Sequence, residues 1–265
     1  MRRVSAVFLL FFLPMLSHAQ ADPSAPVNAF LTTTIVALGL LTLVLMTLAP
    51  DGTETTTVGP TETAYHFTGF DRIDAHNGIK LLVTQGPEYR VVARGTQAGL
   101  ARLNVALTTD TLRVRNRFGF WWGSRNVTLN VTVPELRELE ASGACIVHLS
   151  GIDHPHSLSL EALGATVIKF HGRVQRLRAE ATGASRIQAE GACQHLDAEA
   201  VGASTFAAFG LEAQTARVEA VGASNAQVFV THELSAEAVG ASNIRYRGNP
   251  VTRLDTAGAS SVTRA

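Results

Sequence analysis

A glycine recurs through the C-terminal half of the chain, at Gly143, Gly164, Gly183, Gly202, Gly222, Gly240 and Gly258, with intervals of 18 to 21 residues. The same phrase surrounds it each time: EASGAC, EATGAS, EAVGAS, EAVGASN. A period of this length points to a solenoid, in which each repeat buries its apolar edge only against the repeats on either side. Leucine-rich repeats share the period but need a leucine frame that is missing here. Left-handed hexapeptide helices need a regular aliphatic position that is missing too. A β-helix or closely related β-solenoid remains, over residues 139–265.

The residues between the glycines agree with strands. Six, four and two positions before a glycine come Leu177, Ala179 and Ala181, then Leu196, Ala198 and Ala200, then Leu234, Ala236 and Ala238. After the triplet come Val147 and Leu149, Ile168 and Phe170, Ile187 and Ala189, Ile244 and Tyr246. The two-residue period of a strand turns these positions inward and the ones between them outward. The glycine is expected to bend the chain with a positive φ, and the following Ala to let neighbouring rungs approach closely. The third residue forms a column headed by Cys145 and continued by Thr166, Ser185, Ser204, Ser224, Ser242 and Ser260. Stacked hydroxyls can satisfy corner backbone groups. A nucleophilic serine would want the strand-turn-helix setting of G-x-S-x-G, which this triplet lacks. A second set of glycines, Gly151, Gly172, Gly191, Gly210 and Gly248, is expected to close the strands.

Upstream, residues 67–138 hold short alternating runs such as GIKLLVTQG, TLRVRNR and VTLNVTVPEL, broken by turn residues, and read as an N-terminal β part. Residues 51–66 are rich in Thr, Gly, Pro and acids and read as a linker. Residues 1–21 carry Arg2 and Arg3, an apolar run and small residues, as a signal peptide does. A second uncharged apolar run at 27–50 is long enough to span a bilayer. No Lys or Arg lies between Arg3 and Arg72, whereas Asp51, Glu54 and Glu62 follow the second run. The positive-inside bias then places the domain on the exported side, in the periplasm or at the cell surface, secreted or anchored through the N-terminal segment. A formal net charge of zero gives no field to recruit nucleic acid. Cys145 and Cys193 lie in different repeats and read as two buried thiols rather than a disulfide.

Taken together, FDRIDAHNGIKLLVTQGPEYRVVARG, VTVPELRELEASGA, the serial GAS triplets and the closing YRGNP resemble the bacterial autotransporter adhesin head GIN domain family, over roughly residues 67–265. Gly78-Ile79-Lys80 stands where that family has Gly-Ile-Asn. The resemblance implies a right-handed, two-part parallel β-helix at the bacterial cell envelope, with no catalytic residues and no defined ligand to carry over.

Three outward features are candidates for contact. Glu140, Glu161, Glu180, Glu199, Glu219, Glu237 and Asp255 stand three residues before each glycine and should form an acidic ladder at about 5 Å spacing. Like charges so close repel unless cations or neighbouring Arg178, Arg217 and Arg253 offset them. Leu163, Val201, Val221 and Val239 make an apolar stripe beside the ladder. Phe118, Phe120, Trp121 and Trp122 gather both tryptophans in one glycine-flanked loop, suited to capping the core or to stacking on a sugar or membrane surface. His148, His154, His156 and His171, with Asp153, lack any zinc-ligand spacing.

The reading is a non-enzymatic envelope module for adhesion or interaction. It has no cofactor, no catalytic or metal residue, and no nucleic-acid partner. Its partner is an envelope protein or glycan. The alternatives are a scaffold that self-associates as a homo-oligomer through open solenoid ends, and a polysaccharide-acting β-helix enzyme.

Overall fold

Every Gly-Ala-Ser triplet folds as a tight corner between two strand segments, and the corners stack directly on one another. The computed structural model describes residues 61–117 and 127–265, all within the unit Val58–Ala265. Its strands in chain order are β1 (Thr61–Tyr65), β2 (Arg72–His76), β3 (Lys80–Gln85), β4 (Arg90–Gly95), β5 (Leu103–Thr108), β6 (Thr111–Asn116), β7 (Thr128–Val133) and β8 (Glu138–Ser142). Then come the long β9 (Ile146–Gly164), β10 (Val167–Gly183), β11 (Arg186–Gly202), β12 (Thr205–Gly222) and β13 (Asn225–Gly240), followed by β14 (Asn243–Arg247), β15 (Val251–Gly258) and β16 (Ser261–Arg264). One helical turn, α1 (Gln97–Leu100), is capped by the Thr96 side chain. Among the described residues no helix is long and apolar enough to cross a membrane. The signal-like segment 1–21 and the apolar run 27–50 lie outside the described residues.

The chain is all-β and arranged as a β-solenoid. Residues after each corner stack into one sheet, in the order β1-β4-β7-β3-β9-β10-β11-β12-β13-β14-β16. Residues before each corner stack into the other, where β5 pairs β6, β6 pairs β2, β2 pairs β8, and β8 leads into β9 to β13 and then β15. Pairing from β2 and β3 through the repeats is parallel and in register, so that Glu161 faces Glu180 and Glu180 faces Glu199. The N-terminal end of the stack is finished by antiparallel strands: β4 on β7, β1 on β4, and β5 on β6. Thr61–Tyr65 is therefore strand, where the sequence reads as linker, because its backbone completes the edge of β4.

The core fills a wedge between the two sheets. Next to the corner the inward position is a buried alanine in six successive rungs, Ala141, Ala162, Ala181, Ala200, Ala220 and Ala238, and becomes the exposed Thr256 in the last. Farther from it the positions enlarge to Leu158, Leu177, Leu196 and Leu234. Across the wedge Phe170 and Phe206 fill the space that such small partners leave. Small side chains are required where the sheets converge, since interiors pack without voids or overlaps.

At the corners, Gly183, Gly202, Gly222, Gly240 and Gly258 have φ between +84° and +90°. A Cβ on Gly202 would lie 2.9 Å from the Gly183 carbonyl oxygen. The close approach between rungs is thus made by the glycine, not by the alanine beside it, which is solvent-exposed and donates its N–H to the glycine below (Ala203 N–H to Gly183 O, 2.8 Å). Of the mid-rung glycines, Gly248 closes its strand as the spacing suggests, whereas Gly151, Gly172, Gly191 and Gly210 lie within continuous strands. A Cβ on Gly191 would come 1.9 Å from the Gly172 oxygen.

Candidate functional site

The outward positions before the corners form three parallel columns. The central one holds the seven predicted acids in register, from Glu140 through Glu161, Glu180, Glu199, Glu219 and Glu237 to Asp255. It also extends one rung farther than the repeat indicates, because Asp74 on β2 pairs with Glu140. Asn77-Gly78-Ile79 occupies the place of Gly143-Ala144-Cys145, so β2 and β3 form a rung whose corner lacks the repeated phrase. Eight carboxylates then line one sheet at a strand spacing of about 4.8 Å.

The column two residues earlier reads Arg72, Glu138, Ser159, Arg178, Asp197, Arg217, Ser235 and Arg253, alternating in sign rather than uniformly basic. Arg72 reaches Glu138 at 3.5 Å and Arg178 reaches Glu180 at 4.0 Å. Partial burial raises the Glu161 carboxyl above the ordinary range, and Glu140, Glu180 and Glu138 raise it further, against Arg178. Glu199 is raised likewise by burial and then by Glu180 and Glu219. Small depressions of about 180 and 250 Å³ lie between the arginines and the acids, one at Glu180, Glu199 and Glu219, the other at Glu219, Glu237 and Asp255. On the other side of the ladder, Leu163, Thr182, Val201, Val221 and Val239 stack as a half-buried stripe.

The head of the ladder is a polar knot. His76 contacts Asp74 through Nε2 and Ser142 Oγ through Nδ1. Arg113 and Arg115 each approach Asp74 Oδ2 at 3.8 Å. Asp74, His76 and Glu140 bring their ligand atoms within 4.8 Å of one another, a spacing that could hold a metal ion. The two arginines already neutralise Asp74 there, and a cation would have to displace that pairing.

The hydroxyl column is structural. Ser185 donates to Ala162 O (2.7 Å) or Thr182 O (2.8 Å), and Ser242 to Ala220 O (2.7 Å) or Val239 O (2.9 Å). The hydroxyls of Ser185 and Ser242 thus tie their own corners to the rung below, whereas Thr166 Oγ1, Ser204 Oγ and Ser224 Oγ are buried without a hydrogen-bond partner among the described residues. Cys145 and Cys193 are both free and buried. Burial pushes the Cys193 thiol up to about 12.

The aromatic residues Phe118, Phe120, Trp121 and Trp122 lie outside the described residues. Their flanks are placed: twelve residues, 116–127, separate Arg115 from Thr128, where only three, 77–79, separate the paired His76 from Lys80. The flanking strands β6 and β7 pair with β2 and β3, the strands on either side of the corner at 77–79, a relation the sequence spacing does not show.

The opposite sheet carries a feature the sequence did not indicate, an open cleft of about 540 Å³ across β7, β3, β9, β10 and β11. Its central column is Asn130, Leu82, His148, Lys169 and Gln188. Beside it run Thr132, Thr84, Ser150, His171 and Glu190. Of the histidines singled out in the sequence, His148 and His171 line this cleft. His156 instead lines another of about 570 Å³, with Arg137, Arg176 and Arg178. The side chain of His154 lies outside the description.

Residues 69–250 match the model of the family described as "Putative auto-transporter adhesin, head GIN domain". A crystal structure of a "putative adhesin" from Bacteroides fragilis superposes with a TM-score of 0.71 at 20% identity, covering 78% of this chain and 97% of that one. A "putative lipid binding protein" from Parabacteroides distasonis gives 0.60 at 16%, over 79% and 98%. A "putative adhesin" from Parabacteroides merdae gives 0.57 at 15%, over 79% and 97%. At such identities the likeness is one of fold. No curated protein matches the chain.

Proposed function

Starting from the chain's membership of the auto-transporter adhesin head GIN domain family, whose model matches residues 69–250, we propose that it is a non-enzymatic interaction module of the cell envelope that makes adhesive contacts through its exposed sheet faces. The observation that carries this reading is the unbroken carboxylate column from Asp74 to Asp255, flanked by an apolar stripe. Aligned carboxylates at one-rung spacing work against folding, and within the column only Asp74 and Glu180 have an ion-pair partner among the described residues. A surface that complements the ladder, cationic with apolar spacers, would gain from both columns. Phe118, Phe120, Trp121 and Trp122 are a second contact in this reading. Residues 1–21 direct export, and 27–50 hold the domain at the membrane or are removed with the leader.

Attachment of beads coated with the full chain to bacterial and host surfaces tests the proposal. The triple variant Glu180→Gln, Glu199→Gln, Glu219→Gln keeps side-chain size and should keep the fold while lowering attachment. Undiminished attachment in both this variant and Trp121→Ala/Trp122→Ala would remove both contacts from the reading. Cleavage of the domain by external protease on intact cells or on spheroplasts decides its sidedness.

A second reading is a self-associating scaffold, favoured by Val251 and Leu254 on β15, which are 77% and 40% exposed. Concentration-dependent size in solution separates it from the first.

A further inference from the structure

The sheet opposite the ladder has the opposite character. Lys80, Lys169 and Arg186 all project from it, and none of the three makes an ion pair among the described residues. Among the described residues Glu190 is the one acid lining the cleft, and its carboxylate already accepts from the Gln188 amide (3.3 Å). Burial lowers the His148 imidazole, and the charges of Lys169 and Lys80 lower it further, so it stands as a neutral hydrogen-bonding group in a positive field.

Of the outward groups that remain, Leu82 is apolar and half-buried and the others are polar. Thr84, Thr132 and Ser150 offer hydroxyls, while Asn130 and Gln188 offer amides. Ile146, 45% exposed, adds an apolar rim one column away, between Lys80 and Val167. Five adjacent strands make the cleft about 19 Å long across the rungs. The hydroxyls of Thr132, Thr84 and Ser150 repeat at the rung spacing, so a chain laid along them meets like groups in succession.

We infer that this cleft binds an acidic oligosaccharide, a uronate-type sugar chain lying across β7, β3, β9, β10 and β11. Lys169 takes a carboxylate, and the hydroxyl and amide columns take the sugar hydroxyls. Hydroxyls, amides and a neutral imidazole suit a ligand dense in hydroxyl groups, and the unpaired ammonium selects the charged sugar over the neutral one. Sugar carbons pack on Ile146. A neutral glycan would leave Lys169 without a counter-charge, and a lipid chain would leave the hydroxyl and amide groups without partners. The inference rests on the interaction-module reading but uses the sheet that the acidic ladder does not occupy.

Calorimetric titration of the full chain with tetragalacturonate, and with its methyl ester as the neutral counterpart, tests it. The acid should bind at least about tenfold more tightly than the ester, as expected for one charge-assisted contact. Lys169→Ala should erase that difference, Lys169→Arg should keep most of it, and Glu190→Gln should strengthen the acid. Circular dichroism confirms that each variant is folded. Equal binding of acid and ester, unchanged affinity in Lys169→Ala, or no binding of either sugar would each overturn the assignment. Failure here with ladder-dependent bead attachment intact would leave the interaction reading standing. Sugar binding that persists when attachment fails would do the reverse.

Discussion

At the scale of single residues the corners are the most demanding sites. Gly202 sits at φ +86° with the Gly183 oxygen 2.9 Å from where a Cβ would be, so Gly202→Ala meets both strain and overlap. A loss of more than about 1 kcal/mol is expected, read from the denaturant midpoint. Gly191→Ala should cost more, because its Cβ would fall 1.9 Å from the Gly172 oxygen and the backbone itself would have to move. Ala144 is the converse case, a non-glycine at φ +68° in the place that Gly78 holds in the rung below. Relief of that strain should make Ala144→Gly stabilising by a few tenths to about 1 kcal/mol, net of the extra freedom glycine has when unfolded. A lower denaturant midpoint for this variant would mean that the corner tolerates alanine without strain.

At the scale of elements, the ladder and the wedge pull in opposite directions. Phe206 is fully buried between Ile187 and Ala226 of the neighbouring rungs, and Phe206→Ala should cost about 3–5 kcal/mol through the cavity it leaves. The ladder instead lowers stability at neutral pH. Glu161 and Glu199 ionise at higher pH in the fold than the 4.5 of a free glutamate, so the folded chain holds more protons just above pH 4.5. Stability must then fall as pH rises through that interval and recover as it is lowered. The double variant Glu161→Gln/Glu199→Gln should melt above the parent at pH 7, and the difference should close below about pH 4.5. A constant difference across that range would assign the gain to something other than charge. Much of this element scale is legible in the sequence, because equal spacing stacks equal positions: the inward alanines, the outward glutamates and the hydroxyl column all fall where the repeat puts them. The interruption of the basic column by Glu138 and Asp197 is legible in the same way. One detail is not: Arg178 acts on the carboxylates of both neighbouring rungs, Glu161 and Glu199.

For the whole molecule, the two sheets differ in charge while the chain sums to zero, with the carboxylates on one face and Lys80, Lys169 and Arg186 on the other. The rungs also unfold as coupled neighbours, and the buried thiols report it. Cys145 and Cys193 should resist a thiol reagent in the native state and react together once the stack opens, so slow, single-phase labelling that follows unfolding is expected. Fast labelling of either thiol would show that its rung opens locally. What the sequence by itself determined is the solenoid from Leu139 onward: period, corners, inward and outward sets, and the acidic ladder along its repeats. Each rung contacts only its neighbours there, so a local count suffices. Only the tertiary structure decided the order of the first rungs, in which β2–β3 lies between β6–β7 and β8–β9 although β6 and β7 come later in the chain. That order follows from pairings between strands distant in sequence, whose partners no repeat announces. It adds Asp74 to the ladder and brings five strands together into the cleft.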